Sequence, residues 1–380
     1  MHICFLSQEF PRRGVTYGGI GTFLLTFSTS LIQKGHQVTV VGILGDDFID
    51  EVIDGVRIVT FPRSQAKLIG WWRNFSRISK FLKELHLVQP IDIIEGSELT
   101  FAFLDKIPGI PFVIRLHGGH HFFAEGEKRP INKWKGLQEK ISFKKADAFI
   151  AVSEYVKSHT GKLLSFGEKP IRVINYPVSL QKFYKSDPKN TIPFRLVFAG
   201  TVCEKKGIRQ LILSLGKVSS HFPEIHLEVY GRDWFFQDGK SYVQFLKEEI
   251  DPELLKRVNF HGPVSHDDLP KYYEQAELCI FPSHMETQGL VAPEAMAMGK
   301  PVIFSKTGPG PETIDHRVNG WLCDPHSSEN IADTIIEALS SRENLEKIGE
   351  EARKKVFGKF DPQKITELNL DYYKTLASSI

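Results

Sequence analysis

The sequence predicts an α/β protein built from two doubly wound domains, and three observations predict it. Its 380 residues match about two ordinary domains of ~100–200 residues each. Short β-branched runs alternate with helical patterns along the whole chain, the rhythm of parallel sheets crossed by helices. That rhythm is interrupted by a stretch of turn formers and polar residues from Asn175-Tyr176-Pro177 to Pro188-Lys189-Asn190. We expect a linker at about residues 176–192 and domains at 1–180 and 190–360. The last helix, within 361–380, is expected to cross back onto the first domain.

The elements follow in order. His2 to Ser7 is a short apolar run suited to a buried parallel strand. A loop with Pro11, Gly14, Gly18 and Gly19 leads to an amphipathic stretch, Thr22 to Lys34, stopped by Gly35. Val38–Ile43 is the next strand, and the pattern returns at Ile91–Glu95, Phe112–Leu116 and Ala148–Val152. The second series opens with Leu196–Gly200, a lysine-bearing loop and a helix from about Gly207. It continues at His226–Tyr230, Val258–His261, Leu278–Phe281 and Pro301–Phe304, with a final helix over Pro362 to Ala377. Two such sheets side by side are expected to bind ligand in a cleft between their carboxyl edges.

Composition excludes several classes. Hydrophobic residues at 41% and charged ones at 25% are ordinary globular usage, far from disordered or fibrous chains. A formal charge of +2 gives no whole-chain electrostatic case for nucleic acid. The four cysteines, Cys4, Cys203, Cys279 and Cys323, lie far apart without a CxxC pair, which argues against a zinc ribbon or a disulfide framework. The N-terminus lacks signal-peptide character, and no apolar run approaches the ~18 residues of a membrane span. A cytoplasmic protein is expected, with peripheral contact at the inner membrane face as an alternative.

The segment richest in chemistry runs from Phe281 to Ile303 and reads as strand, loop, short helix and strand. Pro293 suits a first helical turn and Gly299 its end. The amides of Gly289, Leu290 and Val291 then sit at a helix N-terminus, where an anion is favoured. Glu286 lies on the loop and Glu294 inside the helix. Two carboxylates beside an anion site suit a ligand that joins a phosphate to many hydroxyls, such as a sugar nucleotide. Lys206 alone would read as a solvated lysine, but its place after a strand and before Gly207 argues for phosphate. His117 follows a strand directly, where a buried structural histidine and a ligand contact weigh evenly.

These residues carry a family resemblance over nearly the whole chain. Glu286 and Glu294 resemble the E-x7-E pattern of retaining nucleotide-sugar glycosyltransferases, in particular glycosyltransferase family 4 with its GT-B fold of two Rossmann-like domains. Gly18-Gly19-Ile20-Gly21 resembles the family's glycine loop, and Gly35-His36 through Val40 its second strand. His117-Gly118 resembles its donor-contacting histidine, and Gly200 through Lys206-Gly207 its phosphate segment. Ala151-Val152-Ser153-Glu154, Asn175 and Gly308 through Glu312 fall where similar residues occur. The resemblance implies a hexosyltransferase that moves a sugar from a nucleotide diphosphate to a hydroxyl of a glycan or glycolipid, with retention of configuration. It implies catalytic roles for Glu286, His117 and Lys206, with Lys206 on the diphosphate, Glu286 on the donor sugar and His117 on a sugar hydroxyl. It implies donor binding by Gly19, Lys206, Gly289, Leu290, Val291 and Glu294, the last through the ribose. No protein nucleophile, cofactor or metal is implied, and the spacing of His117, His120 and His121 does not suit a helical metal pair.

The chain departs from the pattern at two places. Thr201 stands where an arginine usually follows the glycine of the phosphate segment, leaving one expected cation missing; Lys205, Arg232 and Arg209 are the candidates to compensate, and the sequence alone does not place them. Asn175-Tyr176-Pro177-Val178 stands where Asn-Gly-Val-Asp is commoner. Thr201 motivates a rival reading as a non-catalytic, partner-binding GT-B subunit. A second rival, an NAD(P)-dependent oxidoreductase with Asp46 on the ribose, fits less well because Leu24 replaces the third glycine and the loop from Leu6 to Gly18 is long.

Two basic, aromatic segments complete the reading. Trp71, Trp72, Phe75, Ile78, Phe81, Leu82 and Leu85 recur at helical spacing among Arg73, Arg77, Lys80 and Lys83. An apolar stripe packed on the sheet is expected, and a surface resting on anionic lipid is the alternative. The lysine-rich run from Phe122 to Lys145, with Trp134, is assigned to the acceptor side.

Overall fold

A computed structural model of the chain describes residues 1–10, 18–66 and 69–379. The chain divides into two units, residues 1–177 together with the stretch from Pro362 onward, and Val178–Asp361.

The first unit contains strands β1 (His2–Leu6), β2 (Gln37–Ile43), β3 (Ile49–Ile53), β4 (Val56–Phe61), β5 (Ile93–Gly96), β6 (Phe112–Leu116), β7 (Ala148–Ala151) and β8 (Ile171–Val173). They form one sheet in the order β3-β4-β2-β1-β5-β6-β7-β8. Every pairing is parallel except β3 with β4, a hairpin turned at Asp54 and Gly55, both with positive φ. Its helices are α1 (Gly19–Gln33), α2 (Gly70–Val88), α3 (His120–Gly126), α4 (Lys133–Lys145) and α5 (Glu154–Leu163). Helix α1 begins three residues before the expected Thr22, and the Glu9 carboxylate accepts from the amides of Gly18 and Gly21 at this start. The expected loop residues Pro11 and Gly14 lie outside the described residues.

The second unit contains β9 (Arg195–Ala199), β10 (His226–Tyr230), β11 (Val258–Gly262), β12 (Leu278–Phe281), β13 (Val302–Ser305) and β14 (Trp321–Cys323), with helices α6 (Ile208–His221), α7 (Tyr242–Glu249), α8 (Pro252–Leu255), α9 (Leu269–Gln275), α10 (Val291–Ala297), α11 (Gly310–Thr313), α12 (Ser328–Ser340) and α13 (Leu345–Lys359). Its sheet is wholly parallel, in the order β11-β10-β9-β12-β13-β14. The central strands are covered on both faces. Leu196, Phe198, Leu278 and Ile280 join one core, while Val197, Ala199, Cys279 and Phe281 join the other. The period of two in a strand makes that division, and burial on both sides explains why these strands are apolar without alternation.

The segment expected to be a linker is partly core. Val178 and Phe183 are buried in the second unit, because this turn-rich stretch places its apolar side chains inward.

Helix α14 (Pro362–Ala377) belongs to the first unit. It docks through a buried polar cluster. Arg115, wholly buried, donates to Glu95 at 2.7 and 3.0 Å, to Asn369 Oδ1 at 2.6 Å and to Tyr373 OH at 3.2 Å. Tyr373 donates in turn to Glu95, and the Phe23 ring lies 4.6 Å from the guanidinium. Lys34–Glu367 and Arg172–Asp371 add exposed pairs at the helix surface, worth little each.

Candidate active site

In a doubly wound sheet, ligands bind at the carboxyl edge where the strand order reverses. In the second unit that point lies between β9 and β12. The loop after β9 ends in a tight turn at Glu204–Lys206, and Gly207 then opens α6 with φ 69°. A Cβ at Gly207 would fall 1.9 Å from the carbonyl oxygen of Pro282. Only glycine lets these two loops approach so closely. The amide of His284 also donates to the carbonyl of Lys205 at 2.9 Å, tying the loops together.

That closeness pairs Lys206 with Glu286. The Lys206 ammonium donates to Glu286 Oε1, which also accepts from Ser283 Oγ at 3.0 Å. Both side chains are largely covered, 24% and 13% exposed. A compact cation is thus held beside a carboxylate where the sheet opens.

Glu294 lies in α10 and is 3% exposed. His266 reaches it, with Nε2 2.8 Å from Glu294 Oε1, and Lys182 Nζ lies 3.2 Å from His266 Nδ1. An ammonium can only donate, so Nδ1 accepts, and the ring proton sits on Nε2 pointing at the carboxylate. Helix α10 is two turns long, so its dipole is small. What it offers is N–H groups: among the described residues, the amides of Gly289, Leu290 and Val291 meet no protein acceptor.

In the first unit the strand order reverses between β1 and β5, where a cavity of about 420 Å3 is lined by Ser7, Glu9, Phe23, Gly42, Thr100 and His117, among others. Gly19 opens α1, and a Cβ there would meet nothing within 4 Å. The neighbouring amides of Gly18 and Gly21 donate to Glu9 Oε2 at 3.1 and 3.4 Å, so this helix start already holds a carboxylate.

His117 follows β6 directly. Burial, and then the adjacent Arg115 guanidinium, push its pKa down to about 3, so the ring is neutral near pH 7. Its Nδ1 bonds Tyr176 OH, and burial drives that phenol's pKa well above its usual value. Tyr176 therefore keeps its proton and donates it, leaving the His117 proton on Nε2 as a donor. Beneath the loop, Gly118 N donates to Glu98 Oε1 at 2.8 Å and His121 N donates to Glu139 Oε2 at 2.9 Å. Burial raises the Glu98 pKa to about 8, with Glu139 adding to the rise against backbone hydrogen bonds.

The structure thus joins Lys206 to Glu286 directly, and sets Glu294 in its own relay. Sequence reasoning missed Tyr176, Glu98, Glu139, His266 and Lys182. Tyr176 had a signal, since it sits in a segment that departs from the family pattern; the others are ordinary polar residues whose partners lie far along the chain. His120 and His121 are committed within the fold, His120 Nε2 accepting from Asn132 N at 2.9 Å and His121 pairing with Glu139. Burial raises the Cys203 thiol against the pull of Lys206, which leaves it a poor nucleophile.

A family model described as glycosyl transferases group 1 matches residues 181–355, and one described as Glycosyltransferase Family 4 matches residues 17–182. An uncharacterised glycosyltransferase of Methanocaldococcus jannaschii is 26% identical, with 98% of each chain covered. A glycogen synthase of Mycobacterium tuberculosis is 23% identical over 98% of this chain and 94% of its own. Among solved structures, sucrose-phosphate synthase from Thermosynechococcus elongatus superposes with TM-score 0.85 at 20% identity, covering 100% of both chains. HepE from Anabaena, solved with UDP and glucose, gives 0.78 at 20% identity over 99% of this chain and 100% of its own. Two parallel α/β units of this kind define a glycosyltransferase of the GT-B class. The chain belongs to glycosyltransferase family 4. Among the described residues no helix is long and apolar enough to cross a membrane.

Proposed function

We propose that the protein is a retaining hexosyltransferase that moves a sugar from a nucleotide diphosphate to a hydroxyl of a glycan or glycolipid. The observation that carries this reading is the covered Lys206–Glu286 pair at the strand-order reversal of the second unit. In the proposed step the bond from the anomeric carbon to the diphosphate breaks as charge builds on the leaving oxygen. Lys206 and the amides of Gly289, Leu290 and Val291 meet that charge without having to reorganise. Glu286, released from the ammonium by the incoming phosphate, turns to the donor sugar, and Glu294 takes the ribose hydroxyls. His117 offers its Nε2 proton to a sugar hydroxyl, and the backbone of Gly19 serves the phosphate. The acceptor proton passes to the departing phosphate oxygen as the new glycosidic bond forms on the same face, so no protein nucleophile or metal is required by the scheme. We place the enzyme in the cytoplasm.

HepE bound to UDP and glucose supports a sugar-nucleotide donor as the starting point for assay. With a UDP-, GDP- or ADP-sugar accepted by the wild type, Glu286→Gln should abolish transfer while the nucleoside diphosphate still binds. Unchanged turnover in that variant would refute the site. Product with inverted anomeric configuration, read from the anomeric proton coupling, would refute retention.

We also propose that the first unit rests on anionic membrane. Only part of the expected stripe on α2 is packed: Ile78, Leu82 and Leu85 are buried, while Trp71 and Trp72 are 40% and 56% exposed. Trp71, Phe103 and Trp134 gather from three segments, with ring centroids 4.6 to 5.6 Å apart. Exposed Arg73, Lys133 and Lys135 stand on the same two helix starts. Aromatic rings with cations around them match an anionic interface. Sedimentation with anionic vesicles that persists after Trp71→Ala and Trp134→Ala, or that is equal on neutral vesicles, would refute this.

A further inference from the structure

At the carboxyl edge of the second sheet Arg232 has no ion-pair partner among the described residues. The loops after β9 and β10 are zipped together: Gly200 N donates to the carbonyl of Tyr230 and Val202 N to that of Arg232, both at 2.9 Å. Gly231, with φ 157°, permits this, since a Cβ there would lie 1.8 Å from the carbonyl oxygen of Gly200. The zipper brings the Arg232 side chain over Thr201, with Nε 3.4 Å from Thr201 Oγ1.

Neighbouring cations are already taken. Arg209 makes two bonds of 2.9 Å to Glu204, which also accepts from Gln210 and Tyr242. Although burial pushes Glu204 up, those hydrogen bonds from Arg209, Tyr242 and Gln210 hold its pKa at about 2, so the pair persists at any ordinary pH. Lys206 faces Glu286. Asp233, the acid nearest Arg232 in sequence, is turned to Ser241 Oγ and Val243 N at 2.5 and 3.1 Å. Among the described residues, no carboxylate lies within salt-bridge distance of exposed Arg232. Thr201 is uncharged, but its hydroxyl can accept from Nε and leave the two terminal nitrogens of Arg232 as a fork for an oxyanion.

We propose that Arg232, steered by Thr201, is the second cationic contact to the donor diphosphate, supplied from the end of β10 instead of from position 201. This rests on the sugar-nucleotide reading of the same site. It makes the diphosphate grip of this chain a two-strand device, with Lys206 from the loop after β9 and a planar, bidentate arginine from its neighbour.

The test is calorimetry with UDP, GDP, ADP and CDP, and with the free nucleoside of whichever binds. Arg232→Gln should weaken the nucleoside diphosphate about tenfold to a hundredfold, the worth of one hydrogen bond to a charged group. It should leave the nucleoside alone and the thermal midpoint unchanged, and Thr201→Arg in the Arg232→Gln background should restore most of the affinity. Diphosphate affinity within twofold of wild type in Arg232→Gln would overturn the assignment of Arg232 and leave the donor site standing. An equal loss with the bare nucleoside would also overturn it, by moving the contact to the base or ribose. A wild type that binds none of these diphosphates would sink the donor site and this inference with it.

Discussion

Replacing Arg115 with methionine should strongly destabilise the first unit. Arg115 is fully buried and Glu95 is 2% exposed, so the change strips a buried carboxylate of its cation. Glu95 would lose bonds of 2.7 and 3.0 Å and keep Tyr373 as a donor, while Asn369 would lose a bond of 2.6 Å. Breaking a buried pair from one side costs about 3–5 kcal/mol, most of it the price of the orphaned charge. Removing both partners costs much less, because neither charge is then left buried without the other. The double variant Glu95→Met with Arg115→Met should therefore recover most of the loss and come within about 2 kcal/mol of the wild type. The measurement is hydrogen exchange across a urea series, resolved for amides of β6 and α14, which report the first unit apart from the second. A single variant costing under about 1 kcal/mol, or a double variant as weak as the single, would show that Glu95 is not held as a buried charge.

Three further outcomes follow from other parts of the structure. The Glu98 pKa is raised from 4.5 to about 8 on folding, so its protonated form favours the native state: that stability is full below about pH 4.5 and drains away as pH rises to 8. Relative to Glu98→Gln, wild-type stability should fall from pH 5 to 8 with a slope of up to about 1.4 kcal/mol per pH unit and then level off; a flat difference would contradict it. Gly207→Ala adds both left-handed strain and a contact at 1.9 Å, and should destabilise the second unit by about 2 kcal/mol or more in urea unfolding; an unshifted midpoint would mean the two loops are not held so close. His266→Ala should weaken nucleoside diphosphate binding about tenfold through a disoriented Glu294, with partial rescue by His266→Gln; equal binding in both would remove the relay from the site.

The alternation of strand and helix was legible because the core demands it. Strands such as Leu196–Ala199, covered on both faces, leave unbroken apolar runs that stand out in any reading. Edges were harder to see. Hairpin β3–β4 is half exposed and carries charges such as Asp50 and Glu51, although Asp54-Gly55 is a strong turn signal that could have revealed it. Val178 and Phe183 hid in a polar, proline-rich context that reads as linker. In the site, Lys206, Glu286 and Glu294 were visible because short-range glycines and helix ends frame them. Tyr176, His266 and Arg232 act across 59, 28 and 31 residues of chain, and a linear pattern carries no trace of which distant side chain will meet which.

The return of α14 to the first unit has a consequence for how the protein is made. The first unit is completed only after the second has been translated, since Arg115 and Glu95 meet Asn369 and Tyr373 only once α14 has left the ribosome. Until then a nascent chain carries an incomplete amino-terminal lobe beside a carboxy-terminal one whose sequence is contiguous and able to close on itself. Chains that stall or are clipped near Asp361 would present that unfinished lobe to chaperones and proteases, so the first unit, although begun before the second, is the later of the two to become able to fold.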